Sequence, residues 1–262
     1  MTDERAVQDR LRLLPTIRRA RLWRLYAEDG RRYLDLWMDG GASILGAKGT
    51  NIGTAAKAAL DMGLTRPMPS ALEARLEKAL LAAYAGYKAA RFFLDAGRAL
   101  AAARALAPGE SIAEPRPFDR YLMITPTASR VACPRLPCPS ALAPGVLLFA
   151  EEGLARAAGG DLVPPLRLAC AHRALVELRS FEKTYGESLW RRVDRRLAPH
   201  FGRSGPYLYP RLGAASDYDA LFRSALKGGA LLSPDPGEPS IVPGDFDDGE
   251  IAALAKALSD RG

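Results

Sequence analysis

The chain has 262 residues, 48% hydrophobic and 26% charged, with a formal net charge of +7. That is globular composition with length enough for one sizeable core or two small ones. Three cysteines, two of them in the proline-rich stretch Cys133-Pro-Arg-Leu-Pro-Cys138, give neither a disulfide framework nor a Cys/His ligand set of metal-binding spacing. Lysine supplies only seven of the 37 basic residues, and these are spread along the chain, so an arginine-rich, GC-rich coding background explains the charge better than nucleic-acid binding. The start, Met1 to Arg10, is charged, and the best apolar run, Ala141 to Ala150, is broken by Pro144 and Gly145. The expectation is a cytoplasmic chain with no membrane span.

In chain order, Asp9 to Ala27 carries Leu11, Leu14, Ile17, Leu22 and Trp23 among arginines, an amphipathic arm suited to packing on a partner subunit. Arg21 to Leu36 reads as two short strands joined at Asp29-Gly30, a dipeptide that supplies the positive φ of a hairpin turn. Thr54 to Met62 is predicted helical. A second helix opens at Pro69-Ser70 with Ser70 and Glu73 as a capping box and Leu72, Leu76, Leu80 and Tyr84 on one face. Three apolar runs follow, Arg91 to Leu94, Tyr121 to Ile124 and Val146 to Phe149, with an alanine-rich helix Ala96 to Leu106 after the first. Strand, helix, strand, strand implies a small α/β sheet. The stretch from Pro126 to Pro144, crowded with Pro, Cys, Ser and Ala, reads as a surface loop.

The last third is predicted as a long helix from Leu166 to Leu197 with a break at Gly186, a strand at Tyr207 to Leu212, a helix from Tyr218 to Lys227 ended by Gly228-Gly229, brief strands at Ala230 to Ser233 and Ser240 to Val242, and a helix from Asp247 to Ser259. The expected division is residues 1–90 (arm, hairpin and helices), 91–163 (a shortened sheet region) and 164–262 (a small α/β unit).

One place has the layout of an anion site. A strand feeding a glycine turn and then a helix aims backbone N–H groups and the positive end of the helix dipole at one spot, so Ala96, Gly97 and Arg98 are candidate phosphate-binding residues. A salt bridge or a solvated charge is the favoured role for Arg98 itself. His172 falls on an apolar helix stripe and His200 in a helix end. No Ser/His/Asp spacing, Walker-type loop or metal cluster offers another chemistry.

These segments resemble class III aminotransferases, glutamate-1-semialdehyde aminotransferases above all. Asp29-Gly-Arg-Arg-Tyr-Leu-Asp35 with Gly40-Gly41 and Leu45-Gly46 resembles that family's opening hairpin and substrate-side loop. Arg91-Phe-Phe-Leu-Asp-Ala-Gly-Arg-Ala-Leu100 is similar to the strand and turn bearing its Asn-Ser-Gly-Thr-Glu-Ala motif. Tyr218 to Pro234 with Asp247-Asp-Gly-Glu-Ile251 resembles its closing small-domain segment. About residues 20–107 and 164–260 are covered, and the bridge between is far shorter than the family's.

The resemblance implies an α/β chain of the pyridoxal phosphate (PLP)-dependent transferase fold type I in reduced form, a small central sheet plus a small α/β domain, and a homodimer. It also implies three catalytic roles that this sequence leaves empty. No lysine lies between Lys88 and Lys183, where the family forms its Schiff base, and arginine cannot replace that amine. Ala150, in Gly145 to Gly153, stands where an Asp would hold the pyridinium nitrogen. Pro239 to Pro243 lacks the substrate-carboxylate Arg. The expectation is a degenerate, truncated aminotransferase-like pseudoenzyme with a binding or regulatory role, no catalytic residues, no required cofactor and a small anionic ligand at most. The alternatives are an active PLP enzyme with an atypical lysine or a non-covalently held cofactor, and a basic nucleic-acid-binding protein; Lys88 and Lys183 do not follow a strand as the family's lysine does, and Lys48 lies in the loop resembling the substrate-side entrance.

Overall fold

A computed structural model of the chain describes residues 4–47, 50–119, 129–213 and 217–260. Helix α1 (Glu4–Leu11) is followed by strands β1 (Ile17–Arg21), β2 (Arg24–Ala27) and β3 (Arg32–Asp35). The arm read over Asp9 to Ala27 is thus divided. Pro15 restricts Leu14 to extended backbone and has no amide of its own, so the helix ends and β1 begins. The predicted hairpin forms around Asp29-Gly30: Gly30 has φ 84°, and the Asp29 carboxylate accepts the Arg31 amide at 3.0 Å.

Beyond β3 the backbone makes a left-handed turn, with φ of 48° at Met38, 52° at Asp39, 62° at Gly40 and 101° at Gly41. For the two non-glycine residues that conformation costs roughly 1–2 kcal/mol each. Asp35 holds the entry to the turn by accepting the Trp37 and Met38 amides at 2.9 and 2.8 Å. Met38 is 1% exposed, so burial helps offset the strain.

The middle of the chain is a compact unit of its own, residues 50–180. It contains α2 (Ile52–Asp61), α3 (Leu72–Ala83), β4 (Ala89–Phe93), α4 (Ala96–Leu106), β5 (Val131–Ala132), β6 (Gly145–Phe149), α5 (Glu152–Ala158) and most of α6 (Pro165–Phe181). The capping box at Ser70 does not form: Ala71 is the N-cap of α3, and Ser70 Oγ accepts the Leu72 amide at 3.2 Å instead. The sheet order is β4-β6-β5, antiparallel throughout, with Ala89 opposite Phe149 and Phe93 opposite Gly145. Every residue of β6 is buried because the strand is central, and Leu147 and Phe149 pack with Phe93, Ala99, Ala103 and Val131 into one core. The predicted strand Tyr121 to Ile124 lies outside the described residues. The described part of the stretch read as a surface loop is packed chain: it supplies β5, and Cys133, Leu136 and Cys138 are buried. Desolvation pushes the Cys133 thiol up to about 11 and Cys138 up to about 12, as suits inert core cysteines.

The second compact unit is discontinuous, residues 1–49 with 181–262, so the boundaries between the compact units fall at 49/50 and 180/181. Its later part holds α7 (Glu187–Trp190), one 3-10 turn, α8 (Asp194–Leu197), β7 (Phe201–Ser204), β8 (Tyr207–Pro210), α9 (Tyr218–Lys227), β9 (Ala230–Leu231), β10 (Ser240–Ile241) and α10 (Asp248–Ser259). The long helix predicted to Leu197 therefore stops at Phe181, earlier than the break at Gly186. β7, which sequence periodicity did not show, forms a hairpin with β8. β9 joins the first sheet parallel to β3, with Leu34 opposite Ala230, giving the order β1-β2-β3-β9. Phe181 stacks between Trp23 and Tyr185, and Gly244 is required beside them, since a Cβ there would lie 2.3 Å from the Trp23 ring.

Candidate functional site: the Gly97 turn

The turn between β4 and α4 forms where the sequence places it, with Asp95 as N-cap in extended conformation and Ala96, Gly97 and Arg98 as the first turn of the helix. Two carboxylates of the protein take the Leu94 and Arg98 amides and the Arg98 guanidinium. Asp95 Oδ1 accepts the Arg98 amide at 2.8 Å, the standard role of an aspartate cap. Asp161, from the loop after α5, accepts the Leu94 amide at 3.0 Å through Oδ2. It also receives Arg98 Nε and Nη2, each at 2.7 Å. The Arg98 guanidinium, helped by the Leu94 amide, holds the Asp161 carboxyl below its usual range. The backbone of Asp161 is fixed too, its amide donating to Phe92 O at 2.8 Å.

The turn is closed from below as well. A Cβ on Gly145 would lie 2.1 Å from the Asp95 carbonyl oxygen, so the start of β6 presses on the turn and only glycine fits. Arg167 of α6 donates to Leu94 O. A phosphate dianion set against these groups would lose the Arg98 fork to Asp161 and meet two carboxylates within a few ångströms. At an effective dielectric of ~20 each such repulsion is on the order of 4 kcal/mol per unit charge at about 4 Å.

The other candidate positions do not converge on this turn. β4 and β6 are antiparallel, so the Gly97 turn after β4 and Ala150 after β6 lie at opposite ends of a five-residue sheet, about 17 Å apart. That is further than one pyridine ring and its phosphate arm can reach. Next to Ala150, Glu151 pairs with Arg130 at 3.0 Å, and its carboxyl is held low by Arg130 first and by Lys88 to a lesser degree. The segment Pro239 to Pro243 is core: Ser240 and Ile241 are buried in β10, and Ser240 Oγ accepts the Ser233 amide at 3.0 Å. Of the lysines, Lys57, Lys78, Lys88, Lys183, Lys227 and Lys256 are all exposed, and Lys48 lies outside the described residues. His172 sits half-buried on α6, its pKa lowered first by burial and then by Arg75 and Arg173; His200 Nε2 lies 3.3 Å from Ser259 Oγ. Among the described residues no group of three or more His, Cys, Asp and Glu side chains is placed to hold a metal ion. No helix there is long and apolar enough to cross a membrane.

The Arg98 side chain is thus committed to Asp161, the Ala150 position lies at the other end of the sheet, and no described lysine is buried. Sequence reading missed Asp161, the residue that decides this. Its one local signal is the pair Gly159-Gly160 before it, with Gly159 at φ 61°, which marks a sharp return of the chain after α5.

No protein-family model matches the chain. An uncharacterized protein of Treponema pallidum (strain Nichols) is 31% identical over an alignment covering 89% of this chain and 90% of that protein. An uncharacterized protein of Borreliella burgdorferi is 25% identical over 93% of this chain and 90% of its own length. Among solved structures, an omega-transaminase from Sphaerobacter thermophilus aligns with a TM-score of 0.71 at 13% identity, covering 98% of this chain and 97% of that chain. N-acetylornithine aminotransferase from Stenotrophomonas maltophilia aligns with a TM-score of 0.65 at 15% identity, covering 95% of each. The chain has the PLP-dependent transferase fold type I, as a mixed α/β structure with small sheets, and at these identities the likeness is one of fold.

Proposed function

This chain belongs to one family with the uncharacterized Treponema pallidum protein, and from that premise we propose that it is a non-transaminating relative of class III aminotransferases, a binding or regulatory protein built on their frame. The observation that carries the reading is the bidentate Arg98–Asp161 pair across the Gly97 turn. A coenzyme site keeps its anion donors available, whereas here the chain supplies the anion itself. Three further features agree with it: no lysine between Lys88 and Lys183, Ala150 at the ring position, and no arginine from Pro239 to Pro243.

The test is direct. The purified protein is incubated with PLP, treated with borohydride and digested, and lysines are searched for a pyridoxyl adduct by mass spectrometry. Keto-acid formation from an amino donor is followed in parallel. We expect no site-specific adduct and no turnover. An internal-aldimine absorbance band that vanishes when one lysine is replaced would sink the reading.

A further inference from the structure

The first helix is latched to its unit by an arginine. No residue of α1 is buried, and Val7, Arg10 and Leu11 are half-buried along one face. Eight residues are too few for a helix to hold its own shape in water, so α1 persists because it is docked. The chain that follows is open, with Arg12 and Leu13 exposed and Pro15 lacking an amide to tie it down.

The surface that receives Arg10 is, by contrast, built. Its Nε donates to Asp219 Oδ1 at 2.7 Å and its Nη1 to the Pro234 carbonyl at 2.8 Å, while the guanidinium lies over the Tyr218 ring, 5.2 Å from the centroid. The Arg10 side chain is 14% exposed, so the slot is deep. Its walls are braced without Arg10. Tyr218 is 1% exposed and donates its hydroxyl to the Ser233 carbonyl. Pro234 is flanked by Ser233, whose amide donates to Ser240 Oγ at 3.0 Å, and by Asp235, whose amide donates to Ser233 Oγ at 3.3 Å and whose Oδ1 accepts the Gly237 amide at 2.9 Å. Asp219 belongs to the first turn of α9.

The contacts are those that recognise a guanidinium. Two N–H groups of one planar fork reach two separate acceptors while its face rests on an aromatic ring, which the point charge of a lysine ammonium cannot reproduce. With Arg10 withdrawn, Asp219 has no counter-charge, since Arg223, one turn further along α9, makes no ion pair with it among the described residues. A braced acidic slot, filled by a side chain from a loosely held helix, has the layout of a binding site occupied by an internal competitor.

We propose that α1 is a detachable strap, and that Arg10 stands in a slot that takes the side chain of an arginine from a partner polypeptide. The incoming arginine displaces α1, so the strap sets how readily the partner is accepted. The slot is separate from the Gly97 turn, and the proposal does not depend on the absence of transamination.

The probe is N-acetyl-arginine amide, titrated into the whole chain by calorimetry, with N-acetyl-lysine amide at equal concentration as control. Release of the strap is followed by thermolysin cleavage before Leu13 and Leu14, located by mass spectrometry. The expected result is that the arginine amide speeds this cleavage saturably in the wild type and the lysine amide does not. Arg10→Ala, with circular dichroism otherwise unchanged, binds the arginine amide at least tenfold more tightly because the competitor is gone. Arg10→Ala/Asp219→Asn returns to the response seen with the lysine amide. The proposal is overturned if the two amides act alike on wild-type cleavage, a measurement that needs no variant. It is overturned also if Arg10→Ala binds no more tightly than the wild type, or if Asp219→Asn leaves that gain intact.

Discussion

Arg98 and Asp161 meet fork to fork, both nitrogen–oxygen distances 2.7 Å, across 63 residues of chain. The pair lies at the mouth of a helix whose geometry invites an anion, and it makes that anion part of the covalent structure. Asp161 therefore acts in two capacities, as an acceptor for the Leu94 amide and as a counter-charge for Arg98.

Asp161→Asn separates them. The Leu94 amide keeps an oxygen acceptor while the charge is lost, so the stability cost is about 1 kcal/mol or less, as for a partly exposed ion pair. The native carboxyl titrates below its usual range, so the stability that its charge supplies is present above the unfolded pKa near 3.9 and is lost as pH falls through the lower folded value. The variant accordingly loses that part of its acid-limb pH dependence, seen in urea melts between about pH 2 and 5. With Asp95→Ala added, the Gly97 turn should gain phosphate affinity of at least tenfold. An unchanged affinity would show that the two carboxylates do not close the site.

Asp35 works in the opposite sense. Burial raises its pKa from 3.8 to about 6, against the lowering effect of the two amides it accepts. Between roughly pH 4 and 6 the folded chain holds a proton that the unfolded chain has released, so stability falls as pH rises through this window. Asp35→Asn retains an acceptor for Trp37 and Met38 and removes the titration. It should be more stable than the wild type above pH 6 by about 1–3 kcal/mol, with a flatter profile. Parallel profiles in chemical denaturation at several pH values would refute this.

Gly145→Ala tests the closure from below. The added Cβ would lie 2.1 Å from the Asp95 carbonyl, a backbone atom that cannot swing aside, so β6 and the turn must separate. A loss of about 2–4 kcal/mol is expected, read as a lower urea midpoint. Gly153→Ala, where nothing lies within 4 Å, should stay within about 0.5 kcal/mol.

Arg24 is 9% exposed and ties the first sheet to the capping box of α10, reaching Glu250 twice and Asp245 at 3.1 Å. Arg24→Ala leaves the Glu250 carboxylate partly buried without its main partner, a loss of about 3 kcal/mol. Arg24→Lys keeps the charge without the fork, so its loss should fall between the two. Equal melting curves for wild type and Arg24→Ala would contradict this role.

What could be read from the sequence was local. Helices Ala96 to Leu106 and Tyr218 to Lys227 lie where alanine content, apolar spacing and the ending glycines put them, and Asp29-Gly30 turns the hairpin. Pairings across long stretches of chain left no periodic mark: β9 beside β3, the short β7, and Asp161 beside Arg98 are set by tertiary packing. The capping box read at Ser70 does not form, because the N-cap there is Ala71 with helical backbone, whereas Asp247 and Glu250, which sequence reading passed over, form one from an extended N-cap. At the Gly97 turn the residue types were legible, and their being neutralised from within was not. The resemblance to aminotransferases likewise held for the frame, which depends on element order and not on any one catalytic side chain.

The parallel pairing of Leu34 with Ala230 has a consequence for synthesis. The first sheet cannot be completed until nearly the whole chain has emerged from the ribosome, whereas residues 50–180 can collapse as soon as they are clear of the exit tunnel. Until then the edge of β3 that β9 covers stays without a strand partner.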